Sequence, residues 1–98
     1  MFDKMKELME MKKQAEGIKR ELDSSPIEVN EVRGIKIVIN GAQNFQSLEI
    51  APELFSQENK NRLENDLLRA LNAAIRKSQN LAAQKMQAMT GLTIPELN

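Results

Sequence analysis

The 98-residue sequence contains no cysteine, histidine, tryptophan or tyrosine. The lack of cysteine excludes a disulfide framework, a thiol nucleophile and a zinc–thiolate site, and the lack of histidine removes the commonest general base and metal ligand. The four glycines are widely scattered, so no glycine-rich phosphate loop is present. These absences argue against an enzyme, and we expect no cofactor, no metal site and no small-molecule substrate.

Aromatic residues and long apolar runs are also scarce. Only three phenylalanines are present, which leaves little aromatic surface for stacking single-stranded nucleic-acid bases. No stretch approaches the ~20 consecutive apolar residues that cross a bilayer. Met1 is followed closely by charged residues rather than by the apolar run of a signal peptide. The sequence therefore predicts a cytoplasmic protein with no membrane partner.

The overall composition is that of a soluble globular protein. Hydrophobic residues make up 41% of the chain and charged residues 29%, which is too apolar for an intrinsically disordered segment. The length predicts one small domain that spans residues 1–98.

The first predicted helix covers residues 2–22. Its apolar residues alternate three and four positions apart, as at the a and d positions of a heptad repeat; they are Leu8, Met11, Ala15, Ile18 and Leu22. Pro26 cannot continue a helix, so the helix must end before it.

Alternation of apolar and polar residues then predicts three short strands, at residues 27–32, 35–40 and 44–50. Arg33-Gly34 is a plausible first turn. Asn40-Gly41 is the strongest hairpin signal in the chain, because both central positions of a type I′ turn need positive φ.

The third strand carries an ambiguity about its faces. Leu48 and Ile50 share one face, whereas simple alternation puts Phe45 on the opposite face. Phe45 therefore covers a second surface, or a bulge brings it round to the first.

The longest predicted element is a helix over residues 57–89, with Ser56 as its cap and Gly91 as its stop. At 1.5 Å per residue it is about 45–50 Å long, which exceeds the core of a small domain. Three short strands and one shorter helix cannot cover its whole apolar face, so we expect part of it to pack on a second copy. The predicted fold class is α+β, with the order α-β-β-β-α, a small antiparallel sheet and long protruding helices in a homodimer. The tail, residues 92–98, is partly apolar and could fold back, cover a partner or stay loose.

The net charge of zero conceals an uneven distribution of charge. Residues 23–66 contain four basic and eight acidic residues, whereas residues 67–95 contain four basic residues and no acidic one. On each helix, cations also recur every seven residues, opposite the apolar seam. The rows are Arg62, Arg69 and Arg76 on the long helix, and Lys6, Lys13 and Arg20 on the first helix. Such rows could follow phosphates in contacts that are independent of base sequence.

A solvated helix face is the competing interpretation of these rows. On the first helix it is favoured, because the cations lie four residues from carboxylates; the pairs are Lys6–Glu10, Lys12–Glu16 and Glu16–Arg20. On the long helix both interpretations stay open, because no acidic residue follows Asp66 until Glu96. Lys85 lies on the apolar face, where its stem can snorkel.

Five segments occur in a recognisable order: MFDKM at residues 1–5, GIKIVING at 34–41, LEIAPEL at 48–54, LLRALNAAI at 67–75 and MTGLTIP at 89–95. In order and spacing they resemble the YbaB/EbfC family of nucleoid-associated proteins over nearly the whole chain. The resemblance implies an α-β-β-β-α fold and a tweezer-like homodimer with protruding helices. It also implies a small cytoplasmic bacterial protein that binds DNA, often with little sequence preference.

Our leading hypothesis is therefore a non-enzymatic, homodimeric protein of the nucleoid. It would bind duplex DNA mainly through phosphate contacts and have a role in nucleoid organisation or gene regulation. The acid-free stretch and the resemblance together nominate the contacting cations, which are Arg62, Arg69, Arg76, Lys77 and Lys85, with Lys6, Lys13 and Arg20 secondary.

Two other function classes remain open. A protein-interaction adaptor would dock on another protein, such as one that processes DNA, through its methionine-rich helix ends and the apolar tail. A prefoldin-like holdase would use a similar helix–sheet–helix plan to hold unfolded clients.

Overall fold

A computed structural model describes residues 2–90, and its order of elements confirms the predicted α-β-β-β-α fold. The first helix, α1, spans Phe2–Asp23, and three strands follow: β1 at Pro26–Val32, β2 at Ile35–Asn40 and β3 at Phe45–Ile50. A short 3₁₀ turn at Pro52–Leu54 leads into the long helix α2 at Lys60–Thr90. The predicted tail, residues 92–98, lies outside the described residues.

The long helix begins at Lys60, so the predicted start at residue 57 is wrong. The Ser56 side chain does accept a hydrogen bond from the Asn59 backbone N–H, at 3.1 Å, but the Ser56 carbonyl accepts from the same N–H. Ser56 therefore closes a separate turn. The first helical hydrogen bond runs from the Leu63 N–H to the Asn59 carbonyl at 2.7 Å, which makes Asn59 the residue at the N-cap position.

The three strands form one antiparallel sheet in the order β1-β2-β3. The alternating isoleucines of β2 point to a single face, and Ile35, Ile37 and Ile39 are all buried there. Helix α2 crosses β1 and β2 on that face and contributes three buried alanines, Ala70, Ala73 and Ala74. Small side chains on the helix let its backbone approach the large β-branched side chains of the sheet closely, which gives a thin but well-filled core.

The Asn40-Gly41 hairpin does not form the type I′ turn that its sequence predicts, whereas Arg33-Gly34 does form a turn, as expected. Gly34 has a φ of +89° and Arg33 does not have a positive φ, which is the pattern of a type II turn. The second turn is a four-residue loop, residues 41–44, in which Gln43 and not Gly41 has the positive φ. Gly41 is instead needed because α1 packs closely against this loop. A Cβ at position 41 would lie 2.7 Å from Cδ2 of Leu22 and 3.2 Å from the Cα of Leu22.

A β-bulge in β3 resolves the position of Phe45. Val38 pairs with Ser47, but the next residue, Ile39, pairs with Phe45. The extra residue turns Phe45 to the side of the sheet that carries Leu48, as one of the two sequence alternatives required. Phe45 and Leu48 nevertheless remain 48% and 49% exposed, because α2 packs over β1 and β2 and leaves β3 largely uncovered.

The two helices extend away from the sheet and give the domain extents of 67 × 25 × 16 Å. The radius of gyration is 18.3 Å, whereas a compact chain of this length has about 13 Å. Residues of the last part of α1 face the end of α2 and line a cleft with it; they are Gln14, Gly17, Ile18 and Glu21, opposite Lys85 and Ala88. The earlier part of α1 is exposed, including its apolar residues from Met5 to Met11.

Candidate nucleic-acid interface

Helix α2 presents three distinct faces. Its first face, around Ala70 and Ala74, packs on the sheet. With about 100° between successive residues, Arg62, Arg69 and Arg76 lie about 80–120° from Ala70 in one rotational sense. Leu68, Leu71 and Ile75 lie about 100–160° from Ala70 in the other sense. The arginine row therefore faces away from both the core and the second apolar face, as the seven-residue spacing predicted.

Arg62 and Arg69 share one carboxylate. Arg62 Nε lies 3.9 Å from an oxygen of Asp66, and Arg69 Nη2 lies 3.5 Å from the other oxygen. Both guanidinium groups are well exposed, while the Asp66 side chain is only 24% exposed. Exposed pairs of this length contribute little to stability, so either arginine can exchange Asp66 for an incoming phosphate at small cost.

Arg76 and Lys77 stand apart from the acidic part of the chain. Both side chains are exposed, and within residues 2–90 neither lies within 4.0 Å of a carboxylate. No Asp or Glu occurs on α2 after Asp66. These two cations can meet an external anion without first breaking an ion pair.

Lys85 has a different environment. It is half-buried, and its Nζ lies 3.5 Å from a carboxylate oxygen of Glu21 on α1. The pair joins the two helices where they lie side by side, which accounts for a lysine on an otherwise apolar face. The charge of Lys85 is thus partly neutralised by Glu21 within the domain.

The secondary row on α1 is fully exposed. None of the three predicted i,i+4 pairs of this helix closes to within 4.0 Å in the described part of the chain, so that prediction is wrong. Mobile side chains in water gain too little from pairing to be held in one geometry. Lys6, Lys13 and Arg20 are available, but glutamates lie between them on the same helix.

At the start of α2, Glu64 does pair with Lys60 at 2.6 Å, and its hydrogen bond and charge raise the pKa of the Lys60 ammonium group.

A group of hydrogen bonds around Asn40, which the sequence did not predict, connects the end of β2 to both helices; we call it the Asn40 node. The buried Ser78 hydroxyl on α2 donates to the Asn40 carbonyl at 2.8 Å. The Asn40 amide Nδ2 donates to the Asp23 carbonyl at the end of α1, at 3.2 Å. Asn40 Oδ1 accepts from the backbone N–H groups of Ala42 and Asn44. The sequence did contain a signal for this network, because Asn40 is a polar residue that ends a buried strand and precedes a glycine. It was interpreted only as a residue that forms a turn.

Across residues 2–90 no three acidic side chains come together in a way that could hold a metal ion. None of the helices in that range is long and apolar enough to cross a bilayer.

A small α+β domain whose projecting helix carries exposed cations and no acidic residue after Asp66 has the general form of a nucleic-acid-binding domain. The chain belongs to the YbaB/EbfC DNA-binding family, whose model matches residues 1–93. It is 33% identical over 99 residues to a nucleoid-associated protein of Pelotomaculum thermopropionicum, covering 99% of this chain and 94% of the relative. A nucleoid-associated protein of Chloroflexus aurantiacus is 34% identical over 88 residues, covering 89% and 88%. One from Caldicellulosiruptor bescii is 38% identical over 72 residues, covering 72% and 64%.

Proposed function

We propose that this chain is a non-enzymatic, homodimeric protein of the cytoplasmic nucleoid that binds duplex DNA mainly through phosphate contacts. Binding of this kind would contribute to nucleoid organisation or gene regulation. The observation that carries the proposal is the exposed cation row of α2 beyond Asp66, where Arg69, Arg76 and Lys77 meet no acidic neighbour on their C-terminal side. Membership of a DNA-binding family supports the same assignment.

The cations contribute unequally in this proposal. Arg76 and Lys77 are the primary phosphate contacts because they have no competing carboxylate within 4.0 Å in the described chain. Arg62 and Arg69 follow, since they must share Asp66, and Lys85 is weaker still because Glu21 holds it. The secondary row on α1 adds the remaining contacts, through Lys6, Lys13 and Arg20.

The acidic part of the domain adds a direction to the binding. Residues 23–59, which include the whole sheet, carry four more acidic than basic residues, from six acidic and two basic ones. This end repels DNA, whereas the outer part of α2 attracts it. The duplex is therefore expected against the helices and not against the sheet.

Duplex binding as a function of salt tests this proposal. A fluorescent duplex of mixed sequence, titrated with the protein between 50 and 200 mM salt, should give a log–log slope of clearly negative sign, with about −0.9 for each phosphate contact. A single-stranded oligonucleotide of the same length serves as the comparison and should bind more weakly. Absence of duplex binding at about 50 mM salt, or a slope near zero, would contradict the phosphate mechanism.

The homodimer is proposed on the second apolar face of α2 and the uncovered strand β3. Phe45 and Leu48 are about half exposed, and Leu68 on α2 is 60% exposed. Ile37 and Leu71 line one cleft with Phe45 and Leu48. Leu68 lies about one helical turn before Leu71 on α2. A continuous apolar surface of this kind on a small domain marks an interface, and a second copy can cover it while leaving the arginine row free.

Sedimentation equilibrium tests the dimer and its location. The wild-type chain should sediment as a dimer at micromolar concentration, and the Phe45→Ser, Leu48→Ser double variant should sediment as a folded monomer with unchanged helical circular dichroism. Leu8→Ser, which removes a leucine of α1 that is 65% exposed, is the control and should remain dimeric. A monomeric wild type would contradict the proposed dimer.

The adaptor is the second candidate function, and one observation favours it. Four apolar side chains on the first half of α1 are 62–65% exposed, namely Met5, Leu8, Met9 and Met11. Flexible methionines suit an adaptable protein-binding surface. A protein partner that stays bound after nuclease treatment and no longer binds the Leu8→Gln, Met11→Gln variant would support the adaptor, whereas release of every partner on nuclease treatment would oppose it.

A further inference from the structure

The face of α2 that carries the arginine row has an unusual composition. From Asn61 to Gln87, ten residues lie within about 100° of arc on this face, at about 100° per residue. They are Asn61, Arg62, Asn65, Arg69, Asn72, Arg76, Gln79, Asn80, Ala83 and Gln87. The arc thus holds three arginines and six carboxamides, with no lysine, no carboxylate and no large apolar side chain. We refer to these ten residues as the amide–arginine face.

Three of its carboxamides are available to bind a partner outside the domain. The side chains of Asn72, Gln79 and Asn80 are exposed. Within residues 2–90 none of the three donates or accepts a side-chain hydrogen bond, in contrast to Asn40, whose amide makes three. The face also lies outside the core and outside the apolar surface proposed for the dimer.

Solvation alone does not account for this composition. Asparagine is a poorer helix former than lysine, glutamate or glutamine, yet four asparagines occupy exposed positions of one helix face. Helix α1 is also exposed, but it uses lysine and glutamate and contains a single carboxamide, Gln14. The exposed polar residues of the two helices therefore differ in kind: they are mainly charged on α1 and include many carboxamides on this face of α2.

The chemistry of these side chains matches the edges of base pairs. Asparagine and glutamine bind adenine at N6 and N7 through two hydrogen bonds, and arginine binds guanine at O6 and N7 in the same way. An α-helix with its side chains is about 10–12 Å across, which fits the major groove of B-DNA. From Asn72 to Asn80 the face advances about 12 Å, or some four base pairs.

We propose that the amide–arginine face of α2 enters the major groove and reads base sequence, with Asn72 and Asn80 as the base-contacting residues. The inference rests on the proposed DNA binding and adds sequence preference to it. Phosphate contacts from Arg76 and Lys77 hold the helix in place, and the two asparagines discriminate among base pairs.

Enrichment of duplexes from a random pool tests the proposal. The wild-type protein should enrich a motif that it prefers over a scrambled duplex by at least about 10-fold, which is within the range for one or two good base contacts. In Asn72→Ala, Asn80→Ala the preference should fall at least about 5-fold, while affinity for the scrambled duplex and the salt slope stay unchanged. Gln84→Ala, which removes an exposed carboxamide of α2 outside the face, should keep the preference.

Replacing the purines of the enriched motif by 7-deazapurines identifies the groove. This change removes the N7 acceptor, which only the major groove displays, and it should weaken wild-type binding several-fold. If the wild type binds duplex DNA but enriches no motif, or if the 7-deaza duplex binds equally well, base reading in the major groove is overturned and phosphate binding stands. If duplex binding itself is absent, the proposed function fails as well.

Discussion

Replacement of Asn40 by alanine should lower the stability of the whole domain, although it changes only one buried side chain. Asn40 is 5% exposed at the end of β2. Its side chain joins the last carbonyl of α1, at Asp23, to two N–H groups of the loop that follows, at Ala42 and Asn44. Alanine at this position would leave one acceptor and two donors without these partners.

The magnitude follows from these three hydrogen bonds. Each contributes about 0.5–1.5 kcal/mol net, and a buried group left unpaired costs more than the bond itself contributes. Because the loop is partly open to water, we expect Asn40→Ala to lower the free energy of unfolding by about 2–4 kcal/mol. Ser78→Ala removes one hydrogen bond to the Asn40 carbonyl and should cost about 1 kcal/mol.

Urea unfolding at a single fixed protein concentration measures both effects, since the stability of the proposed dimer would depend on protein concentration. Asn30→Ala is the matched control, because Asn30 is an exposed strand asparagine with only a 3.5 Å contact to Glu28. It should change the free energy of unfolding by less than about 0.5 kcal/mol. A decrease of less than about 0.5 kcal/mol for Asn40→Ala, with an unchanged m-value, would refute the role of the node.

Two glycine substitutions should act in opposite directions. Gly17 lies inside α1 and a Cβ there would meet no atom within 4 Å, so Gly17→Ala should raise the free energy of unfolding by about 0.5–1 kcal/mol; a destabilised variant in a thermal melt would contradict this. Gly34 has a φ of +89° and its Cβ would lie 2.7 Å from Leu54 Cδ1, so Gly34→Ala should cost about 1–3 kcal/mol. Equal stability of Gly34→Ala and the wild type in the same melt would show that the turn adapts freely.

The arrangement of elements was predictable from the sequence because each signal was local. The heptad pattern of α1, the alternation in β2 and the long apolar face of α2 all describe neighbouring residues. The turns were less predictable: Asn40-Gly41 has the composition of a type I′ turn, but the contact of Gly41 with Leu22 and the hydrogen bonds of Asn40 select a longer loop. That choice depends on α1, which is distant in sequence.

The candidate site was predictable in outline only. The seven-residue spacing correctly placed Arg62, Arg69 and Arg76 on one face of the helix, since helix periodicity alone determines it. The partners of the cations were not predictable in the same way. Lys85 meets Glu21 only because α1 and α2 lie side by side, and the expected pairs along α1 remain open because water competes for exposed charges.

The most direct test of the proposed DNA binding compares the salt dependence of duplex binding between two double variants of equal charge. Arg76→Gln, Lys77→Gln removes the two cations of α2 that have no carboxylate within 4.0 Å in the described chain, and Arg33→Gln, Lys36→Gln removes two cations from the sheet end. We predict that the α2 variant binds more weakly and that its log–log salt slope is smaller in magnitude by about 0.9 for each phosphate that it no longer neutralises. The sheet-end variant should keep the wild-type slope. Equal slopes for the wild type and the α2 variant would contradict phosphate binding by this helix.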